Sequence, residues 1–483
     1  MNRQVRRLGI AIVVLFLLLF VNLNYLQVVR ADSLAHDSRN GRLTLEQFSK
    51  PRGQIQTADG VVLARSVPSN DAYKLLRQYP EPQLFAQITG FDSLTFGLEG
   101  VESTYNDELT AHRPTAVKDL RDALIGNERV DNVTLTLTKK LQQVAADQLG
   151  TRKGAVVALD PKTGAILAMY SYPSYDPNAL AIHDAAAVTA ARAALLKDPN
   201  NPMLPRAYRE RYPPGSTFKV VTTSAVFDKQ PELATKSYPQ LSALPLPNTN
   251  GQSLSNFASE VCGGTLPDLL RVSCNTGFAQ IGLDLGADAL SSEAHAFGFG
   301  SKPPLDLPAV AGSVFPDASA FARDKPGLAK SAIGQQDVQA TPLEMALIAA
   351  GIANGGVIMK PHVMAEIRDD QGDLVRSFKP DTWITATSGD TAGKVRDLMI
   401  GVVQGGTATG AAVPNVQVAA KTGTAQTTGN HAHAWMIAFA PAEAPKIAVA
   451  VIVESQDGLG DNATGGRVAA PIVKAMIQAA LTP

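Results

Sequence analysis

The chain is poor in the residues that build metal centres and disulfide scaffolds. Two cysteines in 483 residues exclude a cysteine-rich framework or a zinc ribbon. Cys262 and Cys274 can pair if their domain lies outside the cytoplasm, or can sit as two free buried thiols. Seven histidines form no H-E-x-x-H pattern. His431 and His433 alternate as on a strand, but no third ligand stands near them, so no metal is expected. An excess of one charge is also missing, with 43 Lys and Arg against 44 Asp and Glu. Such a balance gives no field for nucleic acid or another strongly charged partner. Internal repeats and low-complexity tracts are absent as well.

What the sequence does have begins at its N-terminus. Arg3, Arg6 and Arg7 precede an apolar run from Leu8 to Val29, in which Leu8 to Val21 holds no polar residue. About 20 helical residues cross a bilayer core. Positive charge before the run places residues 1–7 inside and everything after about residue 30 outside. An uncleaved anchor over 8–29 is expected, with a cleaved signal peptide ending near Val28-Val29-Arg30-Ala31 as the alternative.

The remaining length suits two domains. Residues 31–145 read as a smaller mixed domain. "PRGQIQTADGVVLARSV" predicts a hairpin turning at Asp59-Gly60, and "FGLEGVESTYNDELT" a turn entering a short helix. "NVTLTLT" (Asn132 to Thr138) alternates like a half-buried strand, and a helix follows that ends at Gly150. Residues 150–483 form the second domain. "GAVVALD" and "AILAMYSY" are strand-length apolar runs, and three more follow near the end: "VQVAAKTGTAQ", "AWMIAFAP" and "KIAVAVIVES". A long helical region lies between the two groups, and "VAAPIVKAMIQAAL" closes the chain as an amphipathic helix. The pattern predicts an α+β fold in which first and last strands share one antiparallel sheet flanked by helices.

Three short motifs carry candidate chemistry. In "YPPGSTFKVVTTSAVFDKQ", nothing breaks a helix from Ser216 to Gln230, with Phe218, Val221, Ala225 and Val226 on an apolar face. Ser216 then sits at the helix N-terminus, where unpaired N–H groups favour developing negative charge. Lys219 lies one turn on, and a neutral lysine there can take the serine proton. S-x-x-K alone is expected by chance ~2 times in such a chain, and Ser216 reads equally well as an N-cap. In "TLPDLLRVSCNTGF", Thr265 with Asp268 predicts a capping box, and Asn275 or Thr276 can cap the next helix. Ser273 and Asn275 then fall in a tight loop, where both can face one cleft or serve only as loop and cap residues. K-T-G occurs twice, as Lys162-Thr163-Gly164 and Lys421-Thr422-Gly423. The first follows Asp160-Pro161 between two strand runs and reads as a turn with an exposed lysine. In the second, Lys421 and Gly423 share one strand face, with Thr422 and Thr424 on the other. Gly423 would leave its face bare for a substrate backbone. The plain alternative is an edge strand carrying a protective lysine.

S-x-x-K, S-x-N and K-T-G-T occur in that order, and the set resembles the active site of the penicillin-recognising serine acyltransferases. "GAVVALDPKTGAILAMYSYPSYDPN" and "AIGQQDVQATPLEMALIAAGIANGG" extend the resemblance over the transpeptidase domain. "PRGQI", "VLARS" and "EGVESTYNDEL" extend it into the non-catalytic domain of the class B, monofunctional penicillin-binding proteins. That resemblance implies a five-stranded antiparallel sheet flanked by helices, behind a pedestal-like or dimerisation-like domain and a single anchor. It implies Ser216 as acylated nucleophile, Lys219 as its base, Ser273 as proton relay to leaving D-alanine, and Asn275 as a hold on the peptide amide. Lys421 and Thr424 would bind the terminal carboxylate, with Thr422 and Gly423 completing the substrate-binding strand. The backbone N–H groups of Ser216 and Thr424 would form the oxyanion hole, often worth ~3 kcal/mol per donor. No metal or organic cofactor is implied. The implied partners are stem peptides of peptidoglycan (a D-Ala-D-Ala donor and an amine acceptor), β-lactams, the cell membrane, and proteins of the divisome or elongasome. Cys274 departs from the commonest S-x-N pattern. The rival activities are a D,D-carboxypeptidase or β-lactamase, with water as acceptor, and a non-catalytic β-lactam sensor or scaffold.

Overall fold

The computed structural model describes residues 2–29, 45, 48–110, 129–426, 432–455 and 464–482. The chain divides into two compact units, Met1–Pro51 with Ser66–Leu76, and Arg52–Arg65 with Arg77–Pro483. The first unit holds helix α1 (Asn2–Asn24), prolonged by a π-helical turn over Tyr25–Val29. The segment Arg3–Val28 is long and apolar enough to cross a membrane. Its leucines, valines and phenylalanines are exposed on every side.

In the second unit the expected hairpin is present. Strands β1 (Ile55–Gln56) and β2 (Val62–Pro68) pair antiparallel around Gly60, whose φ of +78° suits the turn. Helix α2 (Gly100–Thr104) follows, and then strand β3 (Asn132–Leu135), which runs parallel to β1. β3 was expected to be half-buried, yet Val133, Thr134 and Leu135 are all buried. The reason is a second neighbour. The hairpin of Met364–Arg368 and Leu374–Ser377, far along the chain, adds to the same sheet and pairs with β3 through Met364–Arg368.

A buried charge cluster anchors this region. The Glu102 carboxylate accepts from Arg52 Nε at 2.6 Å, Arg77 Nε at 2.7 Å and the Tyr79 hydroxyl at 3.2 Å. Burial pushes the Glu102 carboxyl up, but Arg77 and Arg52 together hold it below the usual carboxylate range. Two polar clasps tie the region to the rest of the unit. Asn178 exchanges two hydrogen bonds with the Tyr79 backbone. Asp306 accepts from the Tyr105 hydroxyl and from the Val363 and Met364 N–H groups.

Helix α3 (Lys139–Leu149) starts at an N-cap Thr138 and stops at Gly150, where the sequence places its end. Beyond it, strands β4 (Gly154–Leu159), β5 (Ile166–Tyr172), β6 (Ala419–Gln426), β7 (Ala432–Ala440) and β8 (Ile447–Val453) form one antiparallel sheet in the order β6-β7-β8-β4-β5. First and last strands thus share a sheet, as the apolar runs predict.

The helices of the middle region include α4 (Lys219–Lys229), α5 (Asn275–Ala296) and α6 (Pro342–Ala353), and the last helix is α7 (Ala470–Leu481). Val157, Ala450 and Ile437 pack in the core that contains α6, while Val156, Val449 and Met436 pack in the core that contains α3 and α7. Period-two alternation along the strands divides the residues between these layers. The middle region is less helical than expected. Between α4 and α5 lie two short ribbons, Tyr238–Leu241 with Cys262–Gly264 and Ala243–Pro245 with Ser253–Ser255.

Candidate active site

The nucleophile motif begins with a backbone constraint. Gly215 has φ of +54°, and a Cβ there would come within 3.0 Å of the Thr424 carbonyl oxygen on β6. Only glycine lets the turn pass so close to the strand. Gly215–Phe218 is a 3₁₀ turn, and the α-helix starts at Lys219 rather than at Ser216. The Thr217 hydroxyl donates to the Pro214 carbonyl at 2.7 Å and tightens that turn. Helix α4 is not amphipathic, since every residue from Lys219 to Val226 is buried. Its polar side chains bond carbonyls: Thr222 that of Ala332, Thr223 that of Lys219 and Ser224 that of Val220.

Lys219 is fully buried. Its Nζ donates to the Ser273 carbonyl at 2.8 Å and to Asn275 Oδ1 at 2.8 Å, with Ser273 Oγ at 3.4 Å. The Phe278 ring lies 5.3 Å from the amine. Burial lowers the Lys219 amine well below the ordinary lysine range, and the charge of Lys421 lowers it further. Both causes favour the neutral amine over the ammonium form.

The S-x-N motif lies in the tight turn the sequence predicts. Thr265 and Asp268 form the capping box of the preceding helix, Leu266–Arg271. Ser273 adopts φ of +61°. This left-handed backbone costs a serine about 1–2 kcal/mol, and the turn aims both carbonyl and hydroxyl at lysines. Neither Asn275 nor Thr276 caps α5. The N-cap is Cys274, without a side-chain cap bond, because Asn275 spends its amide on Lys219 and on the Ser255 carbonyl at 3.2 Å. The two cysteines, left open by the sequence, are joined as the disulfide Cys262–Cys274.

The second K-T-G lies on β6, at the edge of the sheet. Lys421 is fully buried, so it is no protective edge lysine. Its Nζ donates to Ser273 Oγ at 2.8 Å and to the Thr422 carbonyl at 2.9 Å. Burial depresses its amine to about 7. Gly423 corrects the expectation of a bare face open to substrate. A Cβ there would meet the Pro214 carbonyl, Thr217 and Trp435 at 3.0 Å each, so the close approach is made by the turn that carries Ser216. Thr422 and Thr424, on the other face, line a cleft of about 890 Å³ together with Ser216, Ser273 and Asn275. The Thr422 and Thr407 hydroxyls are 2.5 Å apart. The first K-T-G is a turn in the fold too. Lys162 is exposed, its N–H donates to Asp160 Oδ1, and Gly164 has φ of +79°.

Sequence reasoning missed the frame of the nucleophile turn. Trp435 Nε1 donates to the Pro213 carbonyl at 3.0 Å, and the Tyr212 hydroxyl and Arg206 Nε share Glu454 Oε1 at 2.7 Å each. A tyrosine directly before Pro-Pro-Gly-Ser was the one available signal. Of the two histidines weighed as ligands, His431 lies outside the described residues, and His433 Nδ1 accepts from the Ser455 N–H at 3.0 Å.

Residues 154–478 match the family model for the penicillin binding protein transpeptidase domain. The chain belongs to that family. Residues 52–133 match a second model, the penicillin binding protein A dimerisation domain. Among relatives of the family, the chain is 42% identical to peptidoglycan D,D-transpeptidase PbpA of Mycolicibacterium smegmatis, over 100% of this chain and 99% of the relative. It is 41% identical to PbpA of Mycobacterium tuberculosis over the same shares. A ceftriaxone acyl-enzyme complex of penicillin-binding protein A from M. tuberculosis superposes with a TM-score of 0.83 at 40% identity, covering 91% of this chain and 100% of that one. The penicillin-binding fold therefore extends over both the sheet domain and the region that precedes it.

Proposed function

We propose that this protein is a peptidoglycan D,D-transpeptidase working through a Ser216 acyl-enzyme. The observation that carries the reading is the convergence of two buried lysines, Lys219 and Lys421, on Ser273 beside a cleft that opens at Ser216. Ser216 Oγ attacks the carbonyl carbon between the two terminal D-alanines of a stem peptide, and its proton passes to neutral Lys219. The backbone N–H groups of Ser216 and Thr424 take the oxyanion. As the C–N bond breaks, the proton moves through Ser273 to the nitrogen of the leaving D-alanine. Lys421, Thr424 and Thr422 hold the terminal carboxylate, and Asn275 holds the peptide amide. An amine from a neighbouring stem peptide then attacks the ester, gives up its proton, and releases Ser216 with its hydroxyl restored. β-Lactams enter by the first step and remain on Ser216.

The anchor over residues 8–29 leaves residues 1–7 inside and the cleft outside the membrane, as the arginines before the apolar run favour. Residues 31–145 serve as the pedestal, 150–483 as the transpeptidase domain, and the protein works with proteins of the divisome or the elongasome. The test is intact-mass analysis after β-lactam treatment, followed by peptide mapping. The adduct is expected on the Ser216 peptide, and Ser216→Ala is expected to abolish it without lowering the melting temperature. Persistent labelling of that variant overturns the nucleophile. With lipid-linked peptidoglycan and an amine acceptor, D-alanine release without crosslinked product would make the protein a carboxypeptidase instead.

A further inference from the structure

We propose that Asn256 is a positioning residue that holds the Ser273-Cys274-Asn275 turn against Lys219 and thereby sets the acylation rate. The proposal rests on the acyl-enzyme reading above. Its starting point is the unusual N-terminus of α5. The first turn of a helix leaves N–H groups that need acceptors. Here the N-cap position is Cys274, committed to a disulfide, and the next residue is Asn275, committed to Lys219. The helix cannot cap itself.

Asn256 does it from outside. Its Oδ1 accepts from the Thr276 N–H at 2.9 Å, the bond an N-cap side chain would make. Its Nδ2 donates to the Leu241 carbonyl at 2.7 Å and the Glu260 carbonyl at 2.9 Å. The residue is buried, and both ends of its amide are spent inside the protein. It borders the cleft without a polar atom left for a substrate. The same ribbon segment supplies the Ser255 carbonyl to Asn275 Nδ2 and Cys262 to Cys274. Three links therefore join the insertion between α4 and α5 to the catalytic turn, and Asn256 is the central one.

The turn needs them because Ser273 is held left-handed. A strained residue keeps its geometry only where its surroundings over-determine it. If Thr276 loses its acceptor, the turn can relax. The Ser273 carbonyl and Asn275 Oδ1 then drift from Lys219, and the amine loses the two acceptors that fix its position.

Two variants test this, read by the second-order rate of acylation with a fluorescent penicillin across pH and by the melting temperature. Asn256→Ala is expected to slow acylation about tenfold. Asn256→Asp keeps an acceptor for Thr276, loses the donations to the Leu241 and Glu260 carbonyls, and adds a negative charge beside the turn whose Asn275 bonds Lys219. The charged neighbour of that amine is Lys421, and Ser273, Asn275 and Phe278 around it are neutral. The new carboxylate favours the ammonium form, so the acid limb of the profile moves to higher pH. A purely structural role would lower the melting temperature and leave that limb in place. Wild-type acylation by Asn256→Ala, or an unmoved acid limb in Asn256→Asp, overturns the proposal. If Asn256→Ala does not fold, the limb of Asn256→Asp decides. A wild-type protein that takes up no label overturns the acyl-enzyme reading, and this proposal with it.

Discussion

Glu102 and Lys219 are both fully buried, and their surroundings follow opposite rules. Glu102 faces two arginines, a tyrosine hydroxyl and no like charge at bonding distance. Lys219 faces neutral acceptors and, across Ser273, a second buried lysine. Around Glu102 two arginines face two carboxylates, Glu102 itself and Asp92 at 3.6 Å from Arg52 Nε, and the opposite charges fix geometry. Around Lys219 no carboxylate matches the charge, so burial and the charge of Lys421 both push the amine toward its neutral form. Buried charge of the first kind holds a shape, and buried charge of the second kind stores a chemical potential.

Breaking the second cluster has the largest expected effect. Lys219→Ala slows acylation by ~10²–10⁴, measured by the rate of fluorescent penicillin uptake. A near-normal rate would remove Lys219 as the base. Lys421→Ala slows it by ~10² or more, through lost depression of Lys219 and a misplaced Ser273. Breaking the first cluster should spare chemistry and cost stability. Glu102→Ala leaves two buried arginines with only Asp92, 3.6 Å from Arg52 Nε, to offset them, and is expected to lose about 3–5 kcal/mol in urea denaturation. A loss below about 1 kcal/mol would mean that water or a shifted Asp92 takes the place of the carboxylate.

A third buried group sharpens the contrast through pH. Glu344 is buried without a hydrogen-bond partner, and burial alone pushes its carboxyl to about 8. Between its ordinary 4.5 and about 8 the folded protein binds a proton that the unfolded chain does not. Its contribution to stability therefore falls as pH rises through that window. Lys421 runs the other way. Between about 7 and its ordinary 10.5 the unfolded chain binds the extra proton, so stability rises with pH. Melting temperatures should dip between these windows, near pH 7–8 by the same linkage. Glu344→Gln should flatten the acid-side slope and stabilise the protein at pH 8 by about 1–3 kcal/mol. An unchanged slope would mean that Glu344 does not titrate there. The smallest effect belongs to Lys162→Ala, which should leave acylation untouched, because that lysine is exposed in a turn. An effect equal to that of Lys421→Ala would undo the distinction between the two K-T-G copies.

Much of this was legible in the sequence. The five strands of the main sheet announce themselves as apolar runs, and α3 is bounded by Thr138 and Gly150, where local chemistry demands it. The three motifs in their order resemble the active site of the penicillin-recognising serine acyltransferases, and that resemblance implies one site for Ser216, Lys219, Ser273 and Lys421. Other features depend on partners that a local pattern cannot name. β3 looked half-exposed because its second neighbour lies beyond residue 360. Gly423 looked open because the Pro214 carbonyl that fills the space belongs to another motif. Helix α4 looked amphipathic because Thr222, Thr223 and Ser224 hide their hydroxyls on carbonyls. Asn256 carries no motif at all, and its role appears only when the capping needs of α5 are counted.

The hairpin Met364–Ser377 has a consequence for how the protein comes into being. A sheet started by Ile55 and Asn132 receives its next strands only after most of the chain has left the ribosome. The region of residues 52–133 cannot complete its sheet ahead of the portion that carries Met364–Ser377, as a bead on a string would. Such long-range pairing is slow and leaves strand edges open while it waits. Cutting a gene between the two portions would separate a strand from its neighbours.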